Sequence, residues 1–209
     1  MILPFIKRLS ITILGAHILF IIYVAFSSFY LKWANPTMSL YMCARANFDI
    51  NQISIPKFIP KDAVPNDIQT AIIGVEDPTF QQHNGYAQAD HPLTDATISQ
   101  KVARNMFLMP HQNNLGKYLE TIGAVGMECI LDKDRIFELY LNYVEWGDNI
   151  YGIGEAADFY YKKDLRYLSR TQKLKLASVL SNPVEIEPST YNTDKIIEAR
   201  FNLLNRFMQ

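Results

Sequence analysis

The chain has 209 residues, 49% of them hydrophobic and 20% charged, with a formal net charge of -1. That length suits one domain plus an anchor, and the near-neutral charge excludes a general nucleic-acid or polyanion binder, so any phosphate recognition must be local. The two cysteines form no Cys-x-x-Cys pair, which argues against structural zinc, and Cys129 falls in a helical pattern that reads as core, which argues against a disulfide.

In chain order, residues 1–8 read as a cytoplasmic N-terminus and Leu9 to Leu31 as a membrane span of 23 residues without a formal charge. A helix of that length covers about 34 Å, enough for a bilayer core of about 30 Å. Lys7 and Arg8 before it, against Lys32 after it, place the N-terminus inside, and Tyr30 and Trp33 suit the outer interface. A cleaved signal peptide would have a shorter apolar core. His17 reads as a neutral side chain facing headgroups or a helix partner.

Residues 32–59 read as a juxtamembrane linker with room for a strand or small helix, and 60–209 as the functional domain. Val64, Ile68, Ala71, Ile72 and Val75 mark one face of a helix over 61–77, which Pro78 ends. Turns follow at Asn84-Gly85 and His91-Pro92. Further helices are expected over Asp95–Leu108, Leu115–Leu131, Lys133–Val144 with Gly147 as a stop, Tyr151–Tyr161, Ser169–Leu180 up to Asn182-Pro183, and Asp194–Met208. The domain is therefore mainly α.

Three constellations carry chemistry. Glu76 and Asp77 close an apolar helix, where the negative end of the helix dipole and partial burial both favour a proton on the carboxyl, as a general base needs. Thr97, Ser99, Gln100, Lys101, Arg104 and Asn105 gather hydroxyls, amides and cations on one helix, with Gln100 and Arg104 on a shared face suited to a pyrophosphate. Lys117 and Glu120 are helix neighbours, and Glu128 lies about 80° away around the same helix. Spacing alone leaves bland readings open: solvated acids at a helix end, an amphipathic face, a surface pair with a structural Glu128.

Taken together and in order, the blocks resemble the peptidoglycan glycosyltransferases (family 51), particularly the monofunctional biosynthetic transglycosylases of Gram-negative bacteria. Glu76 to Gly85 resembles the family's Glu-Asp-x-x-Phe-x-x-His-x-Gly, Asp95 to Asn105 its Gly-x-Ser-Thr-Ile-Ser/Thr-Gln-Gln-x-x-Lys-Asn, and Gly116 to Glu120 its Arg-Lys-x-x-Glu. Ile136 to Asn142, Gly147, Tyr151-Gly152, Ala156-Ala157, Tyr160 and Leu180 to Pro183 are similar to the later motifs.

The resemblance implies a lysozyme-like, two-lobed glycosyltransferase fold behind an N-terminal transmembrane helix, in the bacterial inner membrane with the catalytic domain in the periplasm. It implies that lipid II is polymerised onto a growing glycan strand, serving cell-wall biogenesis and cell shape. The acceptor 4-hydroxyl attacks MurNAc C1 with inversion and releases undecaprenyl pyrophosphate. Glu76 would be the base and Glu120 would assist the leaving group. Phe80, His83, Thr97, Ser99, Gln100, Lys101, Arg104, Asn105 and Lys117 would bind substrate or shape its site. Other cell-wall synthesis proteins are expected partners. No metal ligand set is visible; a divalent ion, Mg or Mn, would ride on the pyrophosphate.

The chain departs from the pattern in several places. The stretch between His83 and Thr97 is short, Ala87 replaces an Asp, the Gly before Ser-Thr is replaced, giving Thr94-Asp95-Ala96, Lys101 stands for a second Gln, and Gln172 for an acid. Gln112 to Gly116 lacks two arginines, and each lost phosphate contact removes about 1.5–3 kcal/mol. A catalytically reduced, lipid II-binding or scaffold member is the rival this raises; a glycan-cleaving enzyme and a plain interaction module are two others.

Overall fold

The structure is a computed structural model that describes residues 2–53, 55–87, 96–110, 113–181, 188 and 195–207. Among these, nine α-helices carry the fold and a single two-stranded ribbon supplements them, so the expected mainly α class is the one observed. The expected turn at His91-Pro92 and the stop at Asn182-Pro183 lie outside the described residues, and the helix expected from Asp95 begins instead at Ile98, because Thr97 caps it in extended geometry.

Helix α1 (Ile2–Leu31) is about 45 Å long, and Pro4–Leu31 is apolar enough to cross a membrane. Most of its surface is bare, with Leu19, Phe26 and Phe29 all exposed. Its second half docks on α5 (Asn114–Glu128), where Val24, Ser28 and Leu31 are buried. The end of α1 is pinned by Arg135, whose guanidinium donates to the carbonyls of Leu31 and Ala34, both at 2.8 Å. A cation on the last carbonyls of a helix satisfies orphan acceptors and opposes the dipole. Tyr143 adds a hydrogen bond to the Pro36 carbonyl at 2.8 Å.

The segment read as a linker is packed into the domain. Helix α2 (Leu40–Arg45), capped by Ser39, lies on α4 (Ile98–Phe107) and buries Met42 completely. Farther on, the Asn142 side chain accepts from Ile59 N at 2.7 Å and donates to Ile59 O at 2.9 Å, holding that extended backbone as a strand neighbour would.

Helix α3 (Asn66–Glu76) buries Ile68, Ala71, Ile72 and Val75, the stripe that the spacing predicts, and ends at Asp77 in extended geometry, as the following proline requires. A 3-10 turn, Lys61–Ala63, replaces the first part of the expected helix. α4 packs against α5 and α6 (Lys133–Tyr143), while α3 and α8 (Arg170–Ser178) pack on α9 (Lys195–Phe207).

Three expectations change. α5 ends at Glu128, leaving Cys129 exposed at its C-cap rather than in the core; both cysteines are free thiols. α6 stops at Tyr143, and Gly147 belongs to β1 (Glu145–Gly147), paired antiparallel with β2 (Ile150–Tyr151). α7 (Ile153–Tyr161) starts later than expected because Gly152 sits at φ +85° against Asn142, where an added Cβ would lie 2.7 Å from that carbonyl oxygen.

Candidate active site

Helix α4 organises the site, and its own start is built by the first two motifs. Thr97 Oγ1 accepts from Gln100 N at 3.1 Å while Gln100 Oε1 accepts from Thr97 N at 2.9 Å, a reciprocal capping box. The Thr97 hydroxyl donates to the Gly85 carbonyl at 2.9 Å. Asp77 Oδ2 accepts from Ile98 N at 3.0 Å, a carboxylate on the positive end of the helix. His83 donates to the same oxygen from Nε2 at 2.9 Å. Its Nδ1 accepts from Gly85 N at 3.1 Å, which fixes the proton on Nε2.

A second buried network lies alongside. Glu128 is bonded by the Ser99 hydroxyl and by Lys133 Nζ at 2.7 Å; the same ammonium donates to the His83 carbonyl at 2.6 Å and sits 4.5 Å over the Phe80 ring. Glu128 therefore belongs to this network, apart from Glu120, as its angular displacement predicts.

The two expected catalytic acids meet α4 one turn apart. Glu76 is 1% exposed and is clasped by Lys101 of α4 through Oε2 and by Arg200 of α9 through Oε1. Glu120 is 5% exposed, and its Oε1 lies 2.9 Å from Arg104 Nε. A helix dipole and burial were expected to tune Glu76; two cations oppose that burial instead. Burial lowers the Arg200 guanidinium to about 10, which still leaves it charged at neutral pH.

The remaining expected residues divide by exposure. Phe80, Ser99, Thr97 and Gln100 are buried, with Gln100 Nε2 donating to Thr121 Oγ1 at 2.9 Å. His83 is closed into the Asp77 network and Asn105 donates to the Lys101 carbonyl at 2.8 Å. Lys101 and Arg104 keep part of their side chains in solvent, and Lys117 is exposed. None of these residues lines the cavity of about 500 Å³ between Lys57–Pro60, α7 and Lys163–Arg166.

A family model described as transglycosylase matches residues 95–209. The chain belongs to that family. It is 32% identical to a biosynthetic peptidoglycan transglycosylase of Thiobacillus denitrificans over 73% of this chain and 70% of that protein. Proteins of the same description from Laribacter hongkongensis (28% identical, 99% of this chain and 97% of that one) and Acinetobacter baumannii (30%, 98% and 96%) align over almost the whole length.

Two features of this transglycosylase escape the motif reading. Arg200 is one; a signal existed, since Ile197, Arg200 and Leu204 share the buried stripe of α9, and a cation on such a stripe demands a buried acid. The other is the bridge from α2 to β1, where Arg45 Nη2 lies 3.1 Å from Glu145 and 2.9 Å from Asp148. Burial raises the Glu145 carboxyl despite that guanidinium. The Gln172 departure is structurally neutral, because Gln172 completes a capping box with Ser169 as a Glu would. For a metal ion, the donor set fits poorly: among the described residues no three His, Cys, Asp or Glu side chains cluster, and Glu120 is already engaged by a guanidinium.

Proposed function

We propose that this chain is a peptidoglycan glycosyltransferase that polymerises lipid II at a membrane surface. The observation that carries the reading is that two buried carboxylates from different helices, Glu76 of α3 and Glu120 of α5, contact cations one turn apart on α4, a helix within the transglycosylase match. A pair of acids on a cation-bearing helix suits a reaction that removes a proton at one end and expels a polyanion at the other.

In this reading the acceptor sugar's 4-hydroxyl oxygen attacks C1 of the donor MurNAc. Its proton passes to Glu76, the C1–O bond to the pyrophosphate breaks, and the lipid pyrophosphate leaves with the bonding electrons. Entry opposite the leaving group inverts C1. Arg104, oriented by Glu120, and Lys117 meet the phosphates as charge-assisted donors. Phe80, His83, Thr97, Ser99, Gln100 and Asn105 hold α4 and the Glu76 turn in register, so they serve the substrate through the frame they build.

Helix α1 is the single-pass anchor, with its Leu31 end on the periplasmic side of the inner membrane. His17 Nε2 meets the Tyr118 hydroxyl at 3.0 Å, 14 residues before Leu31, about 21 Å along the helix. α5 thus runs beside the apolar helix, and its first turn, with exposed Leu115 and Tyr118 flanking Lys117, marks the side of the domain that a lipid-tethered donor would approach. Residues 60–209, with α2 added from the preceding segment, form the catalytic domain.

The test is incubation of the purified full chain with labelled lipid II in liposomes, beside Glu76→Gln. Polymer from the parent and at least a hundredfold less from the variant is expected. Polymer from both, or from neither, overturns the assignment.

A further inference from the structure

Both oxygens of Glu76 are occupied by cations. A cation on each oxygen competes with an incoming hydroxyl for the carboxylate's lone pairs, so a base so held is a poorer proton acceptor until one cation leaves. The two differ in freedom. Arg200 is 1% exposed, on the inward stripe of α9, with burial all around it. Lys101 keeps 12% of its side chain in solvent, ends in an ammonium on a flexible four-carbon stem, and lies one helical turn from Arg104. A pyrophosphate arriving at Arg104 is within the sweep of that stem and carries more negative charge than one carboxylate.

We propose that Lys101 is a donor-operated latch: it covers Glu76 in the empty enzyme and transfers to the donor's pyrophosphate when that group binds, uncovering the carboxylate. This rests on the glycosyltransferase reading of Glu76. Arg200 stays behind as the fixed partner that keeps the carboxylate in place. Lys101 is a positioning residue toward the base and a binding residue toward the phosphate.

Among the described residues, Lys101 on α4 and Arg200 on α9 contact Glu76, and Asp77 is next in the chain. On the elements packed there, Arg104 of α4 pairs with Glu120, and Tyr140 of α6 feels Arg104 and Asp77, its hydroxyl pushed far above the usual range by burial. On α8, Lys173 is taken by Asp67, 3.4 Å away, near the opposite end of α3. Of these, only Lys101 combines contact with Glu76 and access to solvent.

The experiment compares the full chain with Lys101→Gln and Lys101→Arg in lipid II liposomes, across pH. Loss of the cation should move the acid limb of kcat/KM upward by about one pH unit and raise donor KM about tenfold, with Lys101→Arg restoring both. If the parent polymerises but Lys101→Gln keeps its acid limb, the latch is wrong and the glycosyltransferase reading stands, whatever happens to KM. If the parent makes no polymer, that reading falls. Infrared difference spectra on adding inorganic pyrophosphate give a check that needs no Lys101 variant. A carboxylate band should shift in the parent and be missing in Glu76→Gln, and an unchanged spectrum refutes the exchange.

Discussion

Arg200→Met isolates the most deeply buried ion pair among the described residues. Arg200 and Glu76 are each 1% exposed, so removing the guanidinium strands a carboxylate where water cannot follow. Breaking a fully buried pair from one side costs about 3–5 kcal/mol. Lys101 still holds the other carboxylate oxygen, which places the loss at the lower end, about 3 kcal/mol. For a chain of this size each kcal/mol is worth roughly 2–4 °C, so the melting temperature should fall by roughly 6–12 °C. Glu76→Met alone should cost a similar amount by stranding Arg200. The double variant replaces the pair with unbranched apolar side chains, leaves neither charge stranded, and should recover part of the loss. Thermal unfolding of the full chain in detergent, followed by near-ultraviolet circular dichroism, measures all four. Arg200→Met melting within about 2 °C of the parent would refute the reasoning, as would a double variant that loses the sum of the singles.

His17→Phe and Tyr118→Phe each remove the hydrogen bond between α1 and α5, worth about 1 kcal/mol, and amide exchange in the first turns of α5 should quicken about fivefold; unchanged exchange would show the contact carries no load. Arg135→Ala should free the carbonyls that end α1 and lower thermal stability by roughly 2–4 kcal/mol without shifting the acid limb of activity, and a moved limb would count against it. Glu145 gives a pH signature. Its carboxyl is raised by burial above the unfolded value, so its contribution is fully present below about pH 4.5 and is lost as pH rises through the folded value. Glu145→Gln should therefore gain on the parent in melting temperature between pH 4 and pH 7.5, and the opposite trend would disprove the assignment.

What the sequence makes legible here is what neighbours in the chain decide. The α3 stripe and its end before Pro78 follow from spacing and backbone rules and appear where those rules put them, while α4 and α7 exist as expected but start two or three residues later than their patterns suggest. The β1–β2 ribbon does not, because three residues reading Glu-Trp-Gly carry no alternation; it depends on Asn149 at positive φ, whose N–H reaches Glu145 at 3.1 Å, and on Arg45 from far upstream. α2 is too short to show a period and owes its place to Met42 packing under α4. Cys129 was misread because a helical pattern says which face is apolar but not on which residue the helix ends. At the site, the two acids and α4 are visible in the motifs. Which cation each acid holds is not, since Glu76 takes its partners from two other helices.

The departures from the family pattern become coherent once the charges are placed. Residues 112–116 lack the two arginines of the resemblance, and Asn113 is spent on capping α5, accepting from Gly116 N at 2.8 Å. The added cation, Lys101, sits on α4 instead, where it is mostly covered and in contact with Glu76. Cations on an open loop would greet the donor at no cost to Glu76. A cation drawn from Glu76 must first break an ion pair, so part of the donor's binding energy is consumed in uncovering the carboxylate. Under the proposed latch, that arrangement would weaken ground-state binding and make Glu76 competent only after a pyrophosphate has arrived. The chain would then lose affinity without losing the chemistry, so donor KM rather than kcat is where its divergence should be read.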